Sequence, residues 1–440
     1  MRVADPCHRA KCGGEGGGSA RRRVLRKIGG SAIGSCSLKQ KLTPSVLRAN
    51  PMTKHSLPWS WPTALMMSFA SVVPLSAAPA GKLPALKEAA AGMFHVGAAI
   101  NARHITEADK QGVAVLEQHF DSITPENVMK WGPIHPEPDR YDFEPADKYV
   151  EFGEKRGLFI VGHTLMWHSQ TPRWVFEDEK GEAVSKEVLL QRLREHIHTV
   201  VGRYKGRVKG WDVVNEAVKD EDGNVRFDRP WYKILGEEGI LEAFKAAHEA
   251  DPDAELYYND YSLANPVKRA GVLRLVNWLR EKGARVDGVG TQEHHGLEWP
   301  KIEDIEATIR DFAQAGYKVM VTELDVTVLP RPRQYFGAEI STVFANAPEL
   351  DPYRAGLPPE KEAELAKRYG EIFAAYAKYK DAVTRVTIWG VADNASWLNN
   401  FPIRGRTDHP LLFDRNYQPK PALEAVIKAL RPEADPALTR

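Results

Sequence analysis

From residue 85 to 432 the chain alternates short apolar runs with amphipathic stretches, and no Ser/Gly-rich linker interrupts the alternation. The apolar runs, rich in β-branched residues, predict strands over 93–100, 119–127, 158–167, 208–216, 254–260, 287–295, 318–326 and 384–394. Between them lie helical patterns. In 186–204, Leu189, Leu190, Leu193, Ile197, Val200 and Val201 recur near a 3.6-residue period. In 362–379, Leu365, Tyr369, Ile372, Phe373 and Tyr376 do the same. Near-continuous apolar strands alternating with helices indicate a parallel sheet covered by helices. Eight such units in about 350 residues fit a single-domain α/β (β/α)8 TIM barrel better than an open sheet. No G-x-G-x-x-G and no G-x-x-x-x-G-K-[ST] follows a strand, which weakens nucleotide-binding alternatives.

Polar residues gather where these strands should end. The runs close on TPEN, GHTLMWH, NE, ND, QEHH, TELD and WGVAD. In a barrel those ends share one face, the face that carries active sites. Two of the endings supply glutamates, Glu216 after GWDVVN and Glu323 after KVMVT, 107 residues apart. An unsatisfied buried carboxylate is costly, so two of them at strand ends call for a role. A pair of carboxylates from different strands is the minimum equipment for hydrolysing a glycosidic bond.

Charge and cysteine content narrow the partners. Twelve of the 60 Lys/Arg and two of the 59 Asp/Glu lie in residues 1–80, leaving 81–440 with 48 basic and 57 acidic side chains. That acidic body argues against nucleic acid or an anionic membrane as partner, and suits a neutral polymer. All three cysteines (Cys7, Cys12, Cys36) precede the body, so disulfides, thiolate zinc sites and cysteine nucleophiles are excluded from it. Residues 1–51, rich in Gly, Ser and Arg, read as a disordered leader arising from an upstream start. Residues 52–80 read as a signal peptide: Lys54 and His55, an apolar stretch from Pro62 to Leu75, then Ser76-Ala77-Ala78-Pro79-Ala80. The apolar stretch is too short for a permanent span, so a secreted or periplasmic protein without membrane attachment is expected. A basic disordered extension is the other reading of this leader. The catalytic domain is expected over 81–432, with 433–440 a short polar tail, leaving the barrel cleft alone to hold a polymer.

Taken together, TPENVMKW (124–131), GHTLMWHSQ (162–170), WDVVNEA (211–217), YYNDYS (257–262), TELDV (322–326) and Trp389 with Trp397 in IWGVADNASW resemble glycoside hydrolase family 10, chiefly endo-β-1,4-xylanases. The resemblance spans roughly residues 84–430 with its motifs in order. It implies a barrel without cofactor or metal, xylan or xylo-oligosaccharide as substrate, retention of anomeric configuration, and a monomer. Glu216 matches the acid/base and Glu323 the nucleophile. Asn215 matches the residue that bonds the sugar 2-hydroxyl, although an Asn there could instead cap a following helix. His294 and Asp325 resemble the support of the nucleophile; a hydrogen-bonded core histidine is the plainer reading of His294. Glu126, Asn127, Lys130, His163, Trp167 and Gln292 match residues gripping the sugars on the non-reducing side, with Trp389 and Trp397 on the sugar faces. His168 is assigned a supporting part, and Tyr261 a part on the leaving-group side. Trp174, Trp211, Trp231, Trp278 and Trp299 are expected only to pack.

Three features depart from this pattern or exceed it. Glu293 stands between Gln292 and His294 where many relatives carry a small residue, and strand parity should turn it away from them. The Pro-rich segment 328–360 is longer than an ordinary βα loop and is expected to shape the leaving-group side, so that deleting 335–350 alters products more than stability. Arg404 and Arg406 could meet uronate branches of xylan or bridge the barrel rim. A β-1,4-glucanase and a non-catalytic xylan-binding barrel are the rival functions. The paired glutamates weigh against the second, and a crowded pocket at Lys130 and Trp389 against the first.

Overall fold

The computed structural model describes residues 83–332 and 343–431. The eight predicted runs appear in order as nine strands: β1 (His95–Ile100), β2 (Ser122–Pro125), β3 (Phe159–Trp167), β4 (Gly210–Asn215), β5 (Glu255–Asp260), β6 (Gly288–Thr291), β7 (His294–Gly296), β8 (Lys318–Thr327) and β9 (Val383–Ile388). Each pairs in parallel with its neighbour from β1 to β6; β6 then pairs with β8, β8 with β9, and β9 with β1. The ring is therefore a closed eight-stranded parallel barrel, with β7 a short extra piece on the upper half of β8.

Burial on both faces explains why the strands read as continuous apolar runs rather than alternating ones: every residue of β4 is buried. Helices cover the outside. Lys186–Arg203 starts at Ser185, whose hydroxyl accepts from the Val188 N–H at 3.4 Å, and buries Leu189, Leu193, Ile197, Val200 and Val201. Pro359–Lys378 has proline in its first turn and buries Leu365, Tyr369, Ile372, Phe373 and Tyr376. Gly162 on β3 is required by its neighbour, since a Cβ there would lie 2.1 Å from the Trp211 ring.

Two strands differ from expectation. The run 287–295 is broken into β6 and β7 because Glu293 adopts φ +60°, outside the extended region. The strand carrying Glu323 does not stop there: β8 continues to Thr327, held by β7 through the register His294↔Asp325. Glu323 thus sits within a strand, whereas Glu216 follows one.

Candidate active site

The mouth of the barrel is built from the ends of β2 to β9, and both glutamates reach it on backbone that is fixed. Glu216 has φ +58° and its N–H donates to the Asn259 carbonyl at 2.9 Å. The Glu323 N–H donates to the Gln292 carbonyl at 3.0 Å. Three donors meet the Glu216 carboxyl: Trp167 Nε1 at 2.8 Å, Gln292 Nε2 at 2.9 Å and Asn215 Nδ2 at 3.2 Å. Asn259 Nδ2 donates to Glu323 Oε1 at 2.8 Å, and His294 Nε2 lies 3.3 Å from Oε2. The other His294 nitrogen is 3.0 Å from Asp325 Oδ2, which also accepts from Trp397 Nε1 at 2.7 Å. One amide pair joins the two halves, because Asn259 Nδ2 also donates to Asn215 Oδ1 at 2.9 Å. Asn259 is itself oriented by Thr322 Oγ1, which donates to its Oδ1 at 2.7 Å.

These surroundings push the two carboxyls in opposite directions. Burial raises Glu216, and Asp260 and Glu323 add to the rise against opposition from His168 and Gln292. Burial would raise Glu323 as well, but the His294 hydrogen bond, His163, the His294 charge and Asn259 outweigh it, and the carboxyl falls below the ordinary glutamate value. His294 is pushed up to about 10: burial opposes its charge, and Asp325 and Glu323 more than compensate. It is therefore an imidazolium at neutral pH, donating from both nitrogens. Burial lowers Lys130, which Glu323, Glu126 and Glu216 partly restore. Burial raises Glu126 against the pull of Lys130.

A cavity of about 190 Å³ gathers most of the residues singled out from the sequence. Glu126, Asn127, Lys130, His163, Trp167, Asn215, Gln292, His294, Trp389 and Trp397 line it together with Glu216 and Glu323. Lys130 Nζ donates to Asn127 Oδ1 at 3.1 Å and lies 4.9 Å above the Trp167 ring. His163 is 2.9 Å from Asp212 Oδ2 and meets Trp389 edge to face at 5.7 Å. Trp397 stacks on Phe401 at 5.0 Å. No helix begins at Asn215, so its amide serves the site and not a cap.

Several residues singled out from the sequence lie outside this cavity. Tyr261 does not line this cavity; it is buried, its hydroxyl accepts from Arg226 Nη2 at 2.5 Å, and Lys268 lies 3.5 Å above its ring. Asp325 is fully buried behind His294, and His168 acts on Glu216 from outside the lining. Glu293 does not line this cavity: its Oε2 accepts from Tyr376 Oη and lies 3.0 Å from His295 Nε2. Trp211 and Trp231 are core, but Trp299 is 40% exposed. Arg406 is buried and donates to the Pro330 and Phe401 carbonyls, holding the rim. Of the segment 328–360, residues 333–342 lie outside the described residues, as do 1–82 and 432–440 with the leader, signal-peptide and tail expectations. The returning part is fastened where the Thr407 N–H donates to Asp351 Oδ1 at 2.9 Å.

Asn259, Asp212 and Gln170 belong to the site and were not singled out from the sequence. A signal for Asn259 was present: it ends its strand beside an aspartate as Asn215 ends its own beside a glutamate, and the two pair in register.

A closed parallel barrel presenting two buried carboxyls of opposite charge preference, in a groove of amides, histidines and indoles, defines a carbohydrate-cleaving enzyme of the two-carboxylate class. The chain belongs to glycosyl hydrolase family 10, whose model matches residues 85–429. It is 47% identical over 352 residues to endo-1,4-beta-xylanase A of Xylanibacter ruminicola, covering 80% of this chain and 95% of that protein. It is 44% identical over 348 residues to a beta-1,4-xylanase of Dictyoglomus thermophilum, covering 79% and 91%. Among solved structures, a family 10 endoxylanase from a sugarcane-soil metagenome superposes with a TM-score of 0.76 at 47% identity, covering 78% of this chain and 99% of that one. Among the described residues no helix is long and apolar enough to cross a membrane.

Proposed function

We propose that this protein is a retaining endo-β-1,4-xylanase in which Glu323 is the nucleophile and Glu216 the acid/base. The observation that carries the reading is the opposite bias of the two carboxyls within one hydrogen-bond network. Glu323, ionised, attacks the anomeric carbon while Glu216 gives its proton to the departing glycosidic oxygen. The sugar is left as an ester on Glu323. Glu216, now a carboxylate, takes a proton from water; the water oxygen attacks the same carbon and the ester bond breaks. Two inversions give net retention, and both glutamates return to their starting states.

The remaining groups fit a pyranose. Asn215 serves the 2-hydroxyl, where hydrogen bonding strengthens as the oxocarbenium ion develops. Lys130, Asn127, Glu126 and His163 serve hydroxyls at the sugar edges, and Trp389 and Trp397 its faces. Lys130 and Trp389 in one small cavity support xylose over glucose, which adds a hydroxymethyl group.

Reducing-sugar release from xylan and from carboxymethylcellulose, with Glu323→Ala as control, tests this reading. Release from xylan alone, abolished in the variant, is expected; activity surviving in the variant, or equal release from both polymers, contradicts it. The basic, apolar and small-residue order of 52–80 supports export. N-terminal sequencing of the exported protein should begin near Ala80; retention of Met1 contradicts that.

A further inference from the structure

The catalytic pair divides the barrel mouth into two arcs. Glu216 follows β4 and Glu323 lies on β8, so one arc runs over β9, β1, β2 and β3 and the other over β5, β6 and β7. The cavity already described draws most of its sugar-binding groups from the first arc, through Glu126, Lys130, His163, Trp167 and Trp389. A polysaccharide cleaved between these carboxyls must continue across the second.

A separate cavity of about 180 Å³ lies there, lined among others by Ser262, Asn265, Glu293, His294, His295 and Trp299. His294 is common to both cavities and stands 3.3 Å from Glu323, so the second begins one side chain beyond the nucleophile. Trp299 is the conspicuous element. It is 40% exposed in a body where Trp131, Trp211 and Trp231 are buried. Its pose is held from three sides: the Gly296 N–H donates to its carbonyl at 3.0 Å, Arg331 lies 4.1 Å above its ring, and a Cβ on Gly296 would lie 2.4 Å from its Nε1. An indole that is fixed but left in water, beside hydroxyl, amide and carboxylate groups, has the make-up of a sugar platform.

We propose that Trp299 is a specificity-determining residue that binds a xylosyl unit of the leaving chain. The indole covers a C–H face of the sugar while the polar groups of the cavity meet its edge. This rests on the xylanase reading above, and one substrate series separates the two. An aryl β-xylobioside carries only an aromatic ring beyond the cleaved bond, whereas xylotetraose to xylohexaose and xylan extend over the second arc.

In Trp299→Ala, kcat/KM for the longer oligosaccharides should fall about three- to tenfold, the range expected for one lost aromatic contact. The loss should grow with chain length, the aryl xylobioside should be cleaved at the parent rate, and Trp299→Phe should recover most of the loss. An equal loss on the aryl xylobioside would mark a general disturbance of the barrel and overturn the proposal, as would no loss on any substrate. Should the parent chain cleave the aryl xylobioside and xylan while Trp299→Ala matches it throughout, the Trp299 assignment alone fails. A parent chain inert on all of them removes the xylanase reading and this proposal with it.

Discussion

The end of β4 and the middle of β8 present the same side chain at the same depth, and the two behave oppositely. Glu216 and Glu323 are each 5% exposed, so burial cannot distinguish them. The difference lies in what meets each carboxyl. Glu216 accepts from an indole and two amides; burial raises it, and Asp260 and Glu323 disfavour its charge against His168. Glu323 accepts from Asn259 and from a doubly donating imidazolium, itself held charged by Asp325. Charge-assisted hydrogen bonds are the stronger kind, and the one from His294, together with His163 and Asn259, reverses the direction set by burial. In the mechanism we propose, acid and nucleophile are thus set by neighbours, not by the glutamates themselves.

The largest test of this contrast removes one carboxyl at a time. Glu323→Ala should lose on the order of 10⁴-fold or more in kcat on every glycoside, since no ester can form. Glu216→Ala should lose about 10²- to 10⁴-fold on xylan. It should keep much of the glycosylation rate on aryl xylobiosides with good leaving groups, measured as a pre-steady-state burst. Equal losses on activated and unactivated substrates contradict the acid role.

A smaller effect is expected at the joint between the halves. Asn259→Ala removes the donor to Glu323 and frees Asn215, and should cost about 10- to 100-fold in kcat with little change in KM. A rise in KM alone would place Asn259 with the sugar-gripping groups instead.

The smallest effects concern histidines, which show the same split. His119 is pushed down to about 4, chiefly by burial, and burial also lowers His104, His135, His196 and His409. The folded protein therefore binds fewer protons at these sites than the unfolded chain below about pH 6.5. Their contribution is present above that pH and is lost as pH falls toward 4. His294, raised to about 10, has the opposite sign: its contribution is complete below about pH 6.5 and is lost as pH rises toward 10. Thermal midpoints across pH should show a shallower acid limb in His119→Gln and a shallower alkaline limb in Glu323→Gln. Unchanged limbs in both contradict these assignments.

The barrel was legible because buried parallel strands betray themselves as apolar runs, and their polar endings mark one face. The glutamates and their motifs were legible for the same reason. What the sequence hid was geometry across strands. The local likeness of Asn259 to Asn215 does not reveal that it links the two carboxyls, which it does because β4 and β5 pair in register. Strand parity does not apply to Glu293, since the strand breaks there at φ +60°, and its partner Tyr376 lies 83 residues away on a covering helix. Trp299 reads like any packing tryptophan, since a 40% exposed ring and a buried one have the same letter. Tyr261 shows the converse, a motif residue drawn into a buried cluster with Arg226 and Lys268.

The opposed charge states can be read directly from the carboxyl carbons. With glutamate labelled at its side-chain carboxyl with carbon-13, and resonances assigned through Glu216→Gln and Glu323→Gln, an NMR titration follows both groups in one sample. Glu323 should titrate below the ordinary glutamate value and Glu216 above it. Coincident titration near the ordinary value, or the reverse order, contradicts the account.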